Sequence, residues 1–186
     1  KYKIKNSPTL ISILTHCNQK QRDKLVKVLK SKPTRTLSGV VPVAVMTAPH
    51  ACLHGKCSFC PGGPNSYFGN VPQSYTGKEP STMRAIRANY DPYEIVFNRL
   101  EQYTILGHSP EKVEIILQGG TFPALPEKEQ EQAVALIFKA LNDFSKLFYK
   151  NKKLYYGKFK KFFELPTENI HDKQRSLNIK NKIKKL

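Results

Sequence analysis

The chain has little cysteine, few acidic residues and no long apolar segment. Four cysteines in 186 residues, with no signal-peptide pattern before them, are too few for a secreted scaffold held together by disulfides. No apolar run approaches the roughly 20 residues that cross a bilayer. The sequence therefore predicts a cytoplasmic protein with no membrane partner. Its length suffices for one ordinary domain with a sizeable core.

The shortage of acidic residues leaves two strongly basic flanks. Asp and Glu number 14 against 31 Lys and Arg, which gives a formal charge of +17. Residues 1–36 carry +9 and residues 146–186 carry +10, whereas residues 37–145 carry −2. Basic flanks with interleaved aromatic residues are typical of proteins that bind a polyphosphate such as RNA. A lysine-rich surface that only maintains solubility would have the same composition, and the aromatic residues from Phe144 onward are expected to lie mostly in the core.

The first half of the chain predicts helices, then a strand, then a long loop. Apolar spacing favours one or two helices over residues 8–31, and residues 31–36 break that pattern. Residues 40–46 read as a buried strand with Pro42 near its start. Residues 61–80 are rich in Gly, Pro, Asn and Ser and predict a long loop, which in a compact domain is usually functional or disordered.

The second half repeats the alternation of helix and strand. Asp91 and Pro92 predict a helix start, and Gly107 its end. Residues 112–117 predict a second strand, and a second helix begins near Pro126 with acidic residues in its first turn. Two crossover units of this kind indicate an α/β fold with parallel strands. Past residue 150 the pattern weakens: residues 154–156 could open a strand, 159–165 are ambiguous, and 179–183 predict a basic helical tail.

Three of the four cysteines lie within nine residues, directly after the first predicted strand. Cys52, Cys57 and Cys60 have the spacing C-x4-C-x2-C and run into a Pro-Gly-Gly-Pro turn. Three thiolates can hold three irons of a [4Fe–4S] cluster and leave the fourth iron open to S-adenosylmethionine. A zinc site with His54 or Cys17 as the fourth ligand is the main alternative. Buried or incidental thiols are a weaker one, and Cys17 itself predicts a core or surface thiol.

Gly119 and Gly120 directly follow the second predicted strand. A residue without a Cβ lets the backbone come close to a ligand, although a Gly-Gly pair after a strand is more often only a turn. The pair gains weight because the cysteine loop follows the neighbouring strand. Parallel strands would open both loops on the same face.

A series of segments resembles one family closely, the catalytic subunit of Elongator and its archaeal counterparts, over about residues 32–127. In chain order these are KPTRTLSG (32–39), VAVMTAPHACLHGKCSFCPGGP (43–64), QSYTGKEPSTMRAIRANYDPY (73–93), LGHSPEKVE (106–114) and GGTFPALPE (119–127). Residues 162–172, FFELPTENIHD, are also similar to archaeal members. The family widens the first cysteine gap to four residues, as this chain does.

The resemblance implies a radical-SAM enzyme that modifies the wobble uridine of tRNA. Cys52, Cys57 and Cys60 would bind the [4Fe–4S] cluster, Gly119 and Gly120 would face S-adenosylmethionine, and Lys112 would contact acetyl-CoA. A 5′-deoxyadenosyl radical would abstract hydrogen from the acetyl methyl group of acetyl-CoA, and the carbon radical would add to C5 of the uridine. Hydrolysis of the thioester would then release CoA and leave a carboxymethyl group. No catalytic residue is assigned.

The resemblance also predicts the organisation of the chain. Residues 1–36 would form a basic helical tRNA-binding region, and residues 37–186 the first part of a partial radical-SAM (β/α) barrel with a basic tail. Family members continue through the rest of the barrel and an acetyltransferase domain, which this chain lacks. A second chain or a missing C-terminal part would then complete the enzyme. Two other hypotheses remain: a non-enzymatic, zinc-stapled RNA-binding module, and a remnant that serves assembly.

Overall fold

The computed structural model describes residues 7–120, 122–167, 169 and 172–186. The first six residues of the predicted basic region lie outside the described residues. The helices and strands, in chain order, are α1 (Leu10–His16), α2 (Gln19–Leu29), β1 (Val41–Met46), α3 (Pro80–Arg87), α4 (Pro92–Ile105), β2 (Val113–Gln118), α5 (Glu127–Phe148), β3 (Tyr149–Lys150), β4 (Lys153–Leu154), α6 (Tyr156–Phe162) and α7 (Lys173–Ile183). Single 3₁₀ turns occupy Pro33–Thr36 and Phe122–Ala124.

Helix starts follow from capping side chains that the sequence displays. Asn18 and Gln21 form a reciprocal capping box at the start of α2. The Asp91 carboxylate accepts the Glu94 N–H at 2.9 Å, as predicted for α4. Asp172 accepts the Arg175 N–H at 2.8 Å and begins α7. These bonds satisfy backbone donors that the first helical turn leaves without a partner.

β1 and β2 form a two-stranded parallel sheet. The Val41 N–H donates to the Lys112 carbonyl at 2.9 Å, and the Thr47 N–H donates to the Gln118 carbonyl at 2.8 Å. Both bonds join residues at the same offset along the chain, which fixes the strands as parallel. The side chains of Val41, Val43, Val45 and Met46 on β1 are buried, whereas β2 is only half-buried. The α/β class is therefore confirmed, and the barrel stays a prediction.

Contacts within the chain divide it into two compact units. The first comprises Lys1–Val41, Leu100–Lys112 and Asp143–Leu186, and the second comprises Pro42–Arg99 and Val113–Asn142. The predicted boundary at residue 36 rested on charge and stays a prediction.

An aromatic cluster forms the core of the first unit. Phe144 and Phe148 on α5 pack edge to face at 4.8 Å, and Phe159 and Phe163 pack at 4.7 Å. The side chain of Tyr156 is also buried, and its hydroxyl donates to the Leu14 carbonyl at 2.7 Å. Burial raises the pKa of Tyr156 to about 12, against the opposing charge of Arg22. These aromatic residues are core residues, as the sequence predicted, because interactions between their rings add to the burial of apolar area.

Apolar residues of α3, α4 and the parallel sheet form much of the core of the second unit. Ala85, Ala88, Val96 and Phe97 are almost fully buried, as are Val43 and Val45 of the sheet. Tyr93 and Phe97 stack at 5.6 Å. None of the helices in the described part of the chain is long and apolar enough to cross a membrane.

Candidate metal centre

The cysteine loop begins directly after β1 and has turns but no regular helix or strand. The Gly55 N–H donates to the Cys52 carbonyl, and the Cys60 N–H donates to the Cys57 carbonyl, both at 3.0 Å. Two short turns therefore organise the loop around its three cysteines. All three are reduced cysteines with partial exposure, whereas Cys17 is buried in the first unit. Cys17 is thus a core thiol.

The sulfurs of Cys57 and Cys60 each contact a polar group of the chain. The Nε2 atom of His54 lies 3.3 Å from the Cys57 sulfur. The Ser74 backbone N–H donates to the Cys60 sulfur at 3.2 Å, and the Cys60 thiol donates to the Gly62 carbonyl at 3.3 Å. His54 therefore contacts Cys57, three residues further along the chain.

Three thiols from one loop fit the donor set of an iron–sulfur cluster. Across residues 7–120, 122–167, 169 and 172–186, however, no three His, Cys, Asp or Glu side chains are grouped to hold one metal ion. Binding would require the loop to draw its sulfurs together. The assignment of Cys52, Cys57 and Cys60 as ligands stays a prediction.

The glycine pair after β2 approaches the first cysteine closely. A Cβ atom on Gly120 would lie 3.5 Å from the Cys52 sulfur and 2.9 Å from the Gln73 Cβ. A Cβ atom on Gly119 would lie 2.2 Å from the Thr47 hydroxyl oxygen. Side chains at these positions would collide with their neighbours, so the approach requires glycine. The structure thus brings together the two loops that the sequence placed on one face.

Sequence reasoning missed the segment 73–75, which runs beside the cysteine loop. The Gln73 side-chain oxygen accepts the Cys52 backbone N–H, and Gln73 is buried. The Tyr75 carbonyl oxygen lies 1.7 Å from where a Cβ atom on Gly62 would stand. The only sequence signal was membership of the QSYTG segment, which carries no cysteine, histidine or acidic residue. These contacts join residues that are distant in the chain and follow no local period.

Helix α3 was also missed by the sequence reasoning. Hydrogen bonds to the Glu79 carboxylate stabilise its first turn. The Glu79 carboxylate accepts the Thr76 N–H and hydroxyl, both at 2.8 Å, and the buried Thr82 hydroxyl at 3.1 Å. Burial alone would raise the pKa of Glu79, but these hydrogen bonds outweigh it and lower that pKa to about 2. An ionised Glu79 therefore fixes the chain between the cysteine loop and α3.

Lys112 is exposed and stands just before β2, whereas the glycine pair follows the end of the same six-residue strand. Its carbonyl belongs to the sheet, since it accepts the Val41 N–H. In the described part of the chain, nothing gives the Lys112 side chain a ligand-binding role. The acetyl-CoA contact stays a prediction.

The basic N-terminal residues divide into one structural cation and several exposed ones. Arg22 is buried, lies over the Tyr156 ring at 4.8 Å and donates to the Thr104 carbonyl at 3.3 Å. Burial lowers the pKa of Arg22, against the opposing effect of Tyr156. By contrast, the exposed cations of this region are Lys20, Lys24, Lys27, Lys32 and Arg35. Among the described residues, this exposed set is the one best placed to meet a phosphate backbone.

The loop that carries Lys32 and Arg35 is anchored by a buried histidine that the sequence reasoning did not single out. The His108 Nε2 atom lies 2.9 Å from the Ser31 carbonyl oxygen, and its Nδ1 atom lies 2.8 Å from the Thr36 hydroxyl. A carbonyl can only accept, so Nε2 carries a proton. A Cβ atom on Gly107 would stand 3.2 Å from the Lys30 Cα. The turn at residues 106–108 therefore packs against the 31–36 loop and holds it in place.

Comparison with known proteins finds one matching family model and several similar proteins. Residues 1–37 match the family described as the ELP3 N-terminal domain. The chain is 47% identical over 136 residues to a tRNA uridine(34) acetyltransferase of Methanocaldococcus infernus, which covers 73% of this chain and 26% of that protein. It is 47% identical over 150 residues to Elongator complex protein 3 of Saccharomyces cerevisiae, covering 78% of this chain and 27% of that protein.

The human Elongator complex protein 3 is similar to the same extent. It is 46% identical over 147 residues, which cover 76% of this chain and 27% of the human protein. The chain thus spans about a quarter of the length of the curated relatives it matches.

Proposed function

Because the chain belongs to the family of the Elongator catalytic subunit, we propose that it is the N-terminal portion of a radical-SAM enzyme that modifies uridine 34 of tRNA. The observation that carries the proposal is the approach of Gly120 to the Cys52 sulfur. A cysteine loop and a glycine pair at adjacent strand ends suit a cluster with S-adenosylmethionine beside it. The names of the relatives support the substrate.

The chain's own residues would position and shield the reactants. Bound cluster and S-adenosylmethionine together would supply a carbon-centred radical, which is chemistry that no side chain offers. Cys52, Cys57 and Cys60 would hold the cluster as thiolates, with His54 and the Ser74 N–H beside two of the sulfurs. Gly119 and Gly120 would present backbone to the methionyl group without a Cβ in the way. The positioning of the reactants would accelerate the reaction more than proton transfer by an acidic or basic side chain.

The product of the complete enzyme would be a carboxymethyl group on C5 of the uridine, with acetyl-CoA as its source. Lys112 would be the residue of this chain that contacts acetyl-CoA. The remainder of the barrel and an acetyltransferase domain would come from a second chain or a missing C-terminal part. The half-exposed apolar residues Ile116 and Leu117 of β2 are consistent with a sheet that extends further. This chain alone is not expected to complete the reaction.

The test is anaerobic reconstitution of the purified chain with iron and sulfide. We expect a visible absorption band, and a reduced-cluster EPR signal that changes when S-adenosylmethionine is added. Cys57→Ala should abolish the signal, and Cys17→Ala should keep it, because Cys17 is buried in the other unit. A wild-type chain that holds no iron under these conditions, even with the rest of the enzyme supplied, would contradict the proposal.

A zinc-stapled RNA-binding module is the second candidate, and the contact between His54 and Cys57 favours it. Histidine with three thiolates is a common structural zinc set. Metal analysis of material purified without oxygen separates the two functions. Tight zinc that iron does not replace, together with RNA binding that needs neither reductant nor S-adenosylmethionine, would favour the module.

A further inference from the structure

Residues 73 and 74 contact both ends of the cysteine motif, and we propose that Gln73 and Ser74 are positioning residues for Cys52 and Cys60. They act through the cysteines and touch no substrate. The inference rests on the proposed function only for what the cysteines bind. The contacts that carry it belong to this chain alone.

Gln73 fills the space where the two loops meet. Its side-chain oxygen accepts the Cys52 N–H, and its side chain is 6% exposed. Its Cβ lies 2.9 Å from where a Cβ atom on Gly120 would stand, and its Cγ lies 2.9 Å from the corresponding point on Gly63. The two glycines therefore leave room for one side chain, and that side chain is hydrogen-bonded to the backbone of the first cysteine. Gln73 thus fixes Cys52 relative to both glycine turns.

Ser74 acts at the other end of the motif through its backbone. Its N–H donates to the Cys60 sulfur at 3.2 Å. The adjacent Tyr75 carbonyl packs against Gly62, so close that no Cβ fits there. This packing holds the backbone of residues 73–75 in place and aims the Ser74 N–H at the sulfur. Hydrogen bonds to the sulfurs help to set the reduction potential of an iron–sulfur centre.

Cys57 has no contact with this segment among the hydrogen bonds described, and its partner is His54. The middle cysteine is therefore positioned by its own loop, and the two outer cysteines by residues 73 and 74. The proposal predicts that a change at Gln73 affects Cys52 first and Cys57 least. A general loss of folding would affect all three alike.

The experiment measures thiol reactivity in the reduced, metal-free chain. Wild type, Gln73→Leu and Gln73→Glu are treated with iodoacetamide, and alkylation of each cysteine is followed by peptide mass mapping. Gln73→Leu removes the acceptor at similar volume, so Cys52 should react about fivefold faster, as expected for the loss of one hydrogen bond. Gln73→Glu keeps a side-chain oxygen acceptor and should restore the slower rate at Cys52.

Gln19→Leu is the matched control. The Gln19 side-chain oxygen also accepts a backbone N–H, that of Tyr156 at 2.8 Å, but in the other compact unit. It should leave Cys52 alkylation unchanged. Thermal melting of each variant shows whether it is folded, and Cys17, buried in wild type, reports general unfolding through its own alkylation.

A second measurement separates this proposal from the proposed function. After reconstitution with iron and sulfide, Gln73→Leu should bind less iron per chain than Gln19→Leu, and Gln73→Glu should match wild type. If Cys52 reactivity depends on the acceptor at residue 73 but no variant binds iron, even with the rest of the enzyme supplied, the positioning role stands and the cluster assignment fails. Two results would overturn the positioning role. In the first, iodoacetamide alkylates Cys52 of Gln73→Leu at the wild-type rate; in the second, the alkylation rates of all four cysteines increase by the same factor.

Discussion

At the scale of single residues, the approach between the two loops depends on one missing Cβ atom. Gly120→Ala would place a Cβ 2.9 Å from the Gln73 Cβ and 3.5 Å from its Cα. Neither atom is the far end of a flexible side chain, so the backbone must shift. We expect a decrease of about 1–3 kcal/mol in the free energy of unfolding, measured with urea.

Gly157→Ala is the matched control, because a Cβ atom there meets nothing within 4 Å and the residue lies in α6. Alanine favours a helix over glycine, so this variant should be neutral or more stable by up to about 1 kcal/mol. Equal effects of the two substitutions would show that the loops do not meet as described.

The depressed pKa of Glu79 predicts a specific dependence of stability on pH. A carboxyl whose pKa is about 2 when folded and 4.5 otherwise stabilises the fold fully above pH 4.5 and loses that contribution as pH falls toward 2. Glu79→Gln should therefore be less stable than wild type at pH 7. The difference in urea midpoint should shrink between pH 4.5 and pH 2. A difference that stays constant over this range would mean that Glu79 does not interact as an anion.

At the scale of helices and strands, a buried ion pair joins α4 to α7. The Arg175 guanidinium binds the Glu101 carboxylate, and its Nε atom also donates to the Phe163 carbonyl at 2.9 Å. Burial raises the pKa of Glu101, and Arg175 opposes that effect. Glu101→Gln would leave the arginine charge buried without its counterion and should cost about 3–5 kcal/mol in unfolding free energy.

Glu164→Gln serves as the comparison, since Glu164 pairs with Lys182 at 2.8 Å while both side chains are about one-third exposed. Water and salt screen such a pair, so its removal should cost under about 1 kcal/mol. Urea unfolding of both variants at low and high salt checks the contrast. A cost for Glu101→Gln as small as that of Glu164→Gln would show that α7 does not dock through this pair.

Sequence reasoning succeeded where a local period or a cap decides the structure. Asp91 and Pro92 begin α4 as predicted, and Val41–Met46 is a strand because alternate apolar side chains enter the core. It missed α3, because Pro80 follows a Gly-rich loop and the stronger start signal at Asp91 drew the boundary there. It found the cysteine loop and the glycine pair but not Gln73, because a glutamine gains its role only from partners distant in sequence.

At the scale of the whole molecule, two modes of RNA binding can be distinguished. Either both basic flanks contact the RNA, or the N-terminal region alone does. Each lysine that neutralises a phosphate of single-stranded RNA steepens the slope of log affinity against log salt by about 0.7. Replacing Lys20, Lys24 and Lys27, which are exposed on α2, with Gln should therefore make that slope shallower by about 2 if all three meet phosphates. Fluorescence anisotropy with a labelled tRNA anticodon stem-loop at several salt concentrations measures it.

A matched triple variant separates the two cases. Lys173, Lys184 and Lys185 are exposed at α7 and just beyond it, and their replacement with Gln removes the same charge. If the N-terminal region binds RNA, only the α2 variant should reduce the slope strongly, because the slope depends on the number of phosphates that the protein neutralises. Equal reductions would mean that both basic flanks contact RNA, and the predicted tRNA-binding region of residues 1–36 would then be too narrow.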